Sequence, residues 1–182
     1  MPSPVAHALA GAVFGLCVQR NEIPKKTWWP LLGRFDRSFF SIIRGKEILI
    51  FGTLGLVPDI DFLFGTHSTV THSVGAVVLL FIFAALISGR AMFSFACAIA
   101  YWSHLLLDWA GTDVTAPYGI MMFWPYSQEF FLSEVSVFSG ICREFSEYNC
   151  WQHNLRALGW ELLVLGPLAI FMVIRSRSTR NN

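Results

Sequence analysis

Two histidine–aspartate arrangements carry the possible chemistry of this 182-residue chain. In Ser103-His104-Leu105-Leu106-Leu107-Asp108, at the end of an apolar run that begins near Ala91, helical spacing sets His104 and Asp108 at i and i+4. Their Cβ atoms would then stand roughly 5–6 Å apart on one face. A neutral imidazole and a carboxylate at that separation can grip one divalent cation, or the carboxylate can orient the imidazole from behind. The same pair also reads as a buried hydrogen bond that clamps helices together. The second arrangement is Pro58-Asp59-Ile60-Asp61, followed by His67 and His72. In an extended stretch both carboxylates would face one side and bind a cation; in a turn they would cap backbone groups instead. His67 and His72 are too far apart for one helical face, so one is expected in a loop and the other on a first helical turn. His7 stands alone near the start of the chain.

Imidazole and carboxylate without thiolate suit a divalent metal, zinc ahead of manganese or iron. Such an ion with an open position lowers the pKa of its water toward about 7. Other chemistries lack their residues. No Gly-x-Ser-x-Gly elbow, P-loop or dinucleotide fingerprint is present. Ser73 and Ser103 each adjoin a histidine, but neighbours at i and i+1 do not face each other on a helix. No Cys-x-x-Cys pair points to a thiolate site. Cys17 and Cys97 lie in apolar runs, whereas Cys142 and Cys150 lie in a polar loop where a disulfide is open to them but not required.

These residues must be positioned by membrane helices. Charged residues make up 14% of the chain against roughly 25% in soluble domains, and apolar residues 54%. Seventeen Phe and seven Trp fit interfacial belts. A single all-α domain over 1–182 is expected, an integral membrane bundle of about four to five helices, not all complete spans. The runs are Val5 to Val18, with Gly11 and Gly15 as a small-residue contact pair; Glu47 to Val57, with Gly52 and Gly55; Ser73 to Ile87, with Thr71 as N-cap; Ala91 to Trp109; and Leu155 to Ile174, kinked at Gly166-Pro167. No basic residue precedes the first run, so it reads as a retained helix rather than a signal peptide.

Between the runs lie a basic segment over 19–46 with Trp28 and Trp29, an aromatic-rich loop over 110–154, and a basic tail over 175–182. With the basic segment, the turn at Arg90 and the tail on the cytoplasmic side, eleven of the thirteen Lys and Arg are inside, and only Arg143 and Arg156 fall outside. That topology gathers His7, Asp59, Asp61, His67, His72, His104 and Asp108 at the outer ends of the helices. Glu161 is the exception, an acid well inside the last apolar run.

The order of motifs resembles the YdjM-like membrane-bound metal-dependent hydrolases of bacteria. The matching stretches are His7-Ala8-Leu9-Ala10-Gly11, Leu56-Val57-Pro58-Asp59-Ile60-Asp61, His67 with Thr71-His72-Ser73, Ser103 to Asp108, Pro117-Tyr118-Gly119 and Trp124-Pro125-Tyr126. That family looks distantly similar to zinc-dependent phospholipase C and the single-strand zinc nucleases, which implies a phospholipase C-like helical core. The resemblance makes His7, Asp59, His72, His104 and Asp108 metal ligands, with Asp61 and His67 as catalytic candidates whose role as base, ligand or outer support stays open. The further His and Glu residues that the soluble enzymes use for a third metal have no clear counterpart, and His153 reads as structural or interfacial.

The function expected is metal-dependent hydrolysis of a phosphoester or lipid at the non-cytoplasmic face of a bacterial inner membrane. The apolar stretch Met121 to Tyr126 would cover the site, admit a lipid tail or form an interfacial belt. No nucleic-acid partner is indicated by a net charge of +1. The rival reading is a non-catalytic membrane protein that binds or conducts a metal ion through the same cluster, since intramembrane ionisable residues mark ion pathways as readily as active sites.

Overall fold

In the computed structural model the described residues are 1–19, 44–64, 67–113, 116–144, 146 and 148–178. Five α-helices occur among them: α1 Pro4–Val18, α2 Arg44–Leu54, α3 Val74–Ser88, α4 Ala91–Trp109 and α5 Tyr148–Ser178. Two 3-10 helices, Val57–Phe64 and Val70–His72, link α2 to α3. Among the described residues strand structure is confined to isolated bridges, Gly111 with Phe138 and Ile120 with Phe131. The fold is all-helical, as the composition implies. Most of the basic segment 19–46, with Trp28 and Trp29, and the end of the tail lie outside the described residues.

Helix α4 is the axis of the bundle. It packs on α1, α2 and α3, while α5 packs on α1. Small residues let the backbones approach: Ala96 and Ala100 of α4 pack with Phe51 of α2, and Ala6 and Ala10 of α1 with Leu107 and Leu165. The tightest crossing is between α1 and the end of α2. A Cβ on Gly55 would collide with the carbonyl oxygen of His7, and one on Gly11 with the backbone of Phe51 and Gly55. The glycines of both helices therefore serve close contact, with Gly11 facing Gly55 and Gly15 facing the Phe51 ring.

The outward faces are apolar. None of the residues of α3 is buried, and Leu79, Phe83, Leu86 and Ile87 lie open. On α5 the same holds for Leu155, Leu163, Ile170, Phe171 and Ile174. Water would penalise so much exposed hydrocarbon, and lipid would not. Among the described residues, two helices are long and apolar enough to cross a membrane, Ala91–Trp109 and Tyr148–Met172. Helices α1 and α3 have 15 residues each, about 22 Å at the helical rise, and fall short of the roughly 30 Å hydrocarbon core.

Two local expectations are revised, and one open alternative is decided. The cap of α3 is Ser73, whose hydroxyl accepts from the Ala76 N–H, and Thr71 turns elsewhere. Asp59 and Asp61 lie on a 3-10 helix and not in an extended stretch, so with three residues per turn they point in different directions. The last helix starts seven residues before the expected Leu155 and runs on through Pro167. That early start lifts its first turns beyond the ends of the other helices. There Asn154 bonds to Cys142, His153 to the Gly140 carbonyl and Trp160 to the Val137 carbonyl. Cys142 and Cys150 form a disulfide across the same corner.

Candidate metal centre

Alternating helix directions bring the start of α1, the 3-10 turns after α2, the approach to α3 and the end of α4 to one place. Four donor atoms meet there: Nε2 of His72, Nε2 of His104, Oδ2 of Asp108 and Oδ1 of Asp59. The two Nε2 atoms are 3.1 Å apart. Asp108 Oδ2 stands 3.4 Å from His72 and 2.9 Å from His104, and Asp59 Oδ1 is 3.7 Å and 3.6 Å from the same two nitrogens. Ligands held about 2.0–2.1 Å from a tetrahedral ion are about 3.3 Å from one another. The five separations that involve the two imidazole nitrogens bracket that value, in two triads that share the His72–His104 edge. His7 lies alongside, its ring stacked on His104 at 3.8 Å and its Nε2 3.3 Å from the other Asp108 oxygen.

The rings are turned so that lone pairs face inward. His104 Nδ1–H donates to the Gly55 carbonyl at 2.7 Å, and a carbonyl can only accept, so in the neutral ring Nε2 is bare. His72 Nδ1 lies 3.1 Å from Asp61 Oδ2, the carboxylate–histidine arrangement that fixes a ligating imidazole. Asp61 in turn accepts from Thr71 Oγ1 at 2.9 Å and from His67 Nδ1 at 3.1 Å. Two bare nitrogens facing each other across 3.1 Å call for a cation or a proton between them.

The carboxylates say the same. Both oxygens of Asp108 are buried and, among the described residues, make no hydrogen bond of good geometry despite three imidazoles within 3.4 Å. Buried orphan acceptors are costly, and a shared ion would satisfy them. Without an ion a proton substitutes. Burial would lower the pKa of His72, but its contacts with Asp108, Asp59 and Asp61 push it up to about 11. Burial likewise would raise Asp59 and Asp61, yet the His72 contact with Asp59 and the His67 and His72 contacts with Asp61 hold both below the usual carboxylate range.

His7, His72, His104 and Asp108 are at most 1% exposed, whereas the Asp59 side chain is 26% exposed. The cluster opens at Asp59. Around that opening the 3-10 helix presents Ile60, Leu63 and Phe64 outward, and the Arg143 guanidinium lies 4.9 Å over the Phe62 ring.

The sequence profile of the YdjM inner membrane protein family matches residues 1–179. The chain belongs to that family. An inner-membrane setting follows for this YdjM-family chain and agrees with its exposed apolar faces. No curated protein and no solved structure matches it, and the phospholipase C likeness stays an expectation.

All seven residues singled out in the sequence gather within this end of the bundle, in three overlapping groups: His7, His104 and Asp108; Asp59, His72 and His104; Asp61, His67 and His72. Asp61 and His67 sit behind His72, on its Nδ1 side, and away from the four-atom set. His67 is stacked on Phe62 and its Nε2 meets the Met1 sulfur at 2.7 Å. His153 is remote from the cluster in its contacts, as expected of a structural residue. Three supports were not legible: the Gly55 carbonyl, Thr71 as a donor to Asp61, and Tyr101, whose hydroxyl donates to the Thr71 carbonyl at 2.6 Å. Only Thr71 had a signal, its position next to a histidine. The Met121 to Tyr126 stretch braces the approach to α3, with Met121 N–H donating to Ser68 and Val74 N–H to Met122.

Proposed function

We propose that this chain is a multi-pass, metal-dependent hydrolase whose site opens on the non-cytoplasmic side of the inner membrane and acts on a phosphoester. The observation that carries the reading is the four-atom set with its orphaned Asp108 oxygens. His72, His104, Asp59 and Asp108 would hold one divalent ion, zinc ahead of manganese or iron, and His7 offers a further nitrogen. The ion would supply Lewis acidity and an acidified water. The chain's own part is to orient and exclude. Gly55 and Asp61 fix the two imidazoles, α1 and α4 close the buried side, and among the described residues Asp59 leaves an open edge. Arg143 brings a cation to the same end, suited to an anionic headgroup.

Orientation is supported twice over. The Lys and Arg distribution favours it. The Cys142–Cys150 disulfide lies beside Ile141, whose N–H donates to Met1, and Met1 touches His67. Such bonds persist in the bacterial periplasm and are rare in the cytosol.

The rival reading, an ion pathway, needs ionisable groups through the depth of the membrane. Glu161 is the residue that offered this, and its partner is Ser3, at the outer start of α1. It therefore lies at the same end as the cluster. The test is elemental analysis of protein purified in detergent, with hydrolysis of bis(p-nitrophenyl) phosphate as the assay. Near-stoichiometric metal, with loss of both metal and activity in His104→Ala, is expected. Metal-free wild type, or a His104→Ala protein with full activity, overturns the reading.

A further inference from the structure

Glu161 is fully buried on a helix that is otherwise mostly exposed, and it takes no part in the donor cluster. Its carboxylate accepts the Ser3 N–H at 2.7 Å and, through the other oxygen, the Ser3 hydroxyl. Ser3 is the N-cap of α1: its Oγ accepts from Ala6 N–H at 3.1 Å, and its carbonyl accepts from His7 N–H at 3.2 Å. Both donors of Ser3 thus go to Glu161, and its acceptors go to the first turn of α1, which carries His7.

Capping alone does not need this carboxylate, because Ser3 already caps the helix. Removing a charge from water is expensive, although the partial positive charge of a helix N-terminus recovers part of the cost. An apolar residue would serve stability as well. What a buried polar group adds best is register. The face of α5 turned to α1 runs Ala157, Glu161, Leu165 and Met172, and Glu161 is its polar member. Against it lie Ala6 and Ala10, with Met172 touching Cys17. Small and aliphatic side chains on both sides give this contact little directional preference of its own. Without Glu161 the cap at Ser3 loses both its partners on α5, and the first turn of α1, which carries His7, is free to shift against Asp108.

We infer that Glu161 is a positioning residue that locks the register of α5 on α1 through Ser3 and thereby sets His7 at the metal centre. The inference rests on the metal reading for its first readout but not for its second. Cobalt(II) is the probe, bound to detergent-purified protein and followed by its visible absorption and by competition for affinity. Glu161→Leu, which keeps the bulk, should weaken cobalt about tenfold and change the spectrum as His7→Ala does. The double variant should be no weaker than His7→Ala alone, because both changes remove one contribution. Glu161→Gln, which retains an acceptor for the Ser3 N–H, should stay within about threefold of wild type. Wild-type cobalt binding in Glu161→Leu, or full additivity with His7→Ala, overturns the inference.

The second readout is the imidazole resonances of histidine-labelled protein without metal, with His7 assigned by its loss in His7→Ala. In Glu161→Leu the His7 signal should move, and in Glu161→Gln it should stay near its wild-type position. An unmoved His7 signal overturns the inference whatever the metal result. A wild-type protein that takes up no cobalt sinks the metal reading alone, and these resonances then decide the role of Glu161.

Discussion

His72 has an acid at each end of its ring. Asp59 and Asp108 face Nε2, and Asp61 faces Nδ1. The division assigns different work to two aspartates that are neighbours in sequence. Asp59 belongs to the donor set, and Asp61 holds the imidazole so that its lone pair points inward. Asp61→Ala removes the acceptor from His72, Thr71 and His67 together, and metal affinity should fall about 10- to 100-fold. Asp61→Asn retains one oxygen acceptor and should lose less. Isothermal titration with zinc or manganese measures both, and an Asp61→Ala protein with unchanged affinity would show that the ring needs no such support. Each of these residues was legible by type, since histidine and aspartate in greasy surroundings are expensive without partners. Which nitrogen meets which carboxylate was not, because that depends on side-chain directions fixed by four separate segments.

At the scale of elements, Ala91–Trp109 is legible to the residue, since a long apolar run between a turn and a polar loop leaves few alternatives. The stretch after α2 reads either way in sequence, extended or as a turn. Alternation in Pro58-Asp59-Ile60-Asp61 looks extended, yet the chain keeps winding: Leu56 N–H bonds to Thr53 and Asp59 N–H to Leu56. A 3-10 run of eight residues exceeds the three or four that such helices usually reach. The contacts of its acids with His72 and His67 supply what local propensity does not. This winding starts at Gly55, which is pressed against His7 of α1 and lends its carbonyl to His104. Gly55→Ala should therefore act on both. Forcing a methyl group into that crossing costs about 1–3 kcal/mol, and the shift of the carbonyl should weaken metal binding beyond what the stability loss explains. Thermal unfolding in detergent and metal titration of the same variant separate the two effects. Gly159→Ala is the control, since a Cβ there would meet nothing within 4 Å.

Across the whole molecule, charge asymmetry along the sequence and the three-dimensional gathering of the site are two views of one topology. With the positive residues on one side of alternating helices, the acids and histidines of the site fall at the other ends. The structure brings those ends together, and adds that Glu161 joins them because α5 begins early and stands above its neighbours. Sequence could not show this, since a polar first half of a long helix reads as loop. The topology makes a chemical prediction about thiols in intact cells. Cys142 and Cys150 are paired, while Cys17 and Cys97 are free. After acid quenching and denaturation, a maleimide of added mass should therefore label two cysteines per chain, and four once a reductant is applied first. In cells lacking the periplasmic thiol-oxidising system, all four should be labelled without reductant. Labelling of four in ordinary cells would put the 141–150 corner in the reducing cytosol, and with it the Asp59 opening, which would reverse the orientation argued for the site.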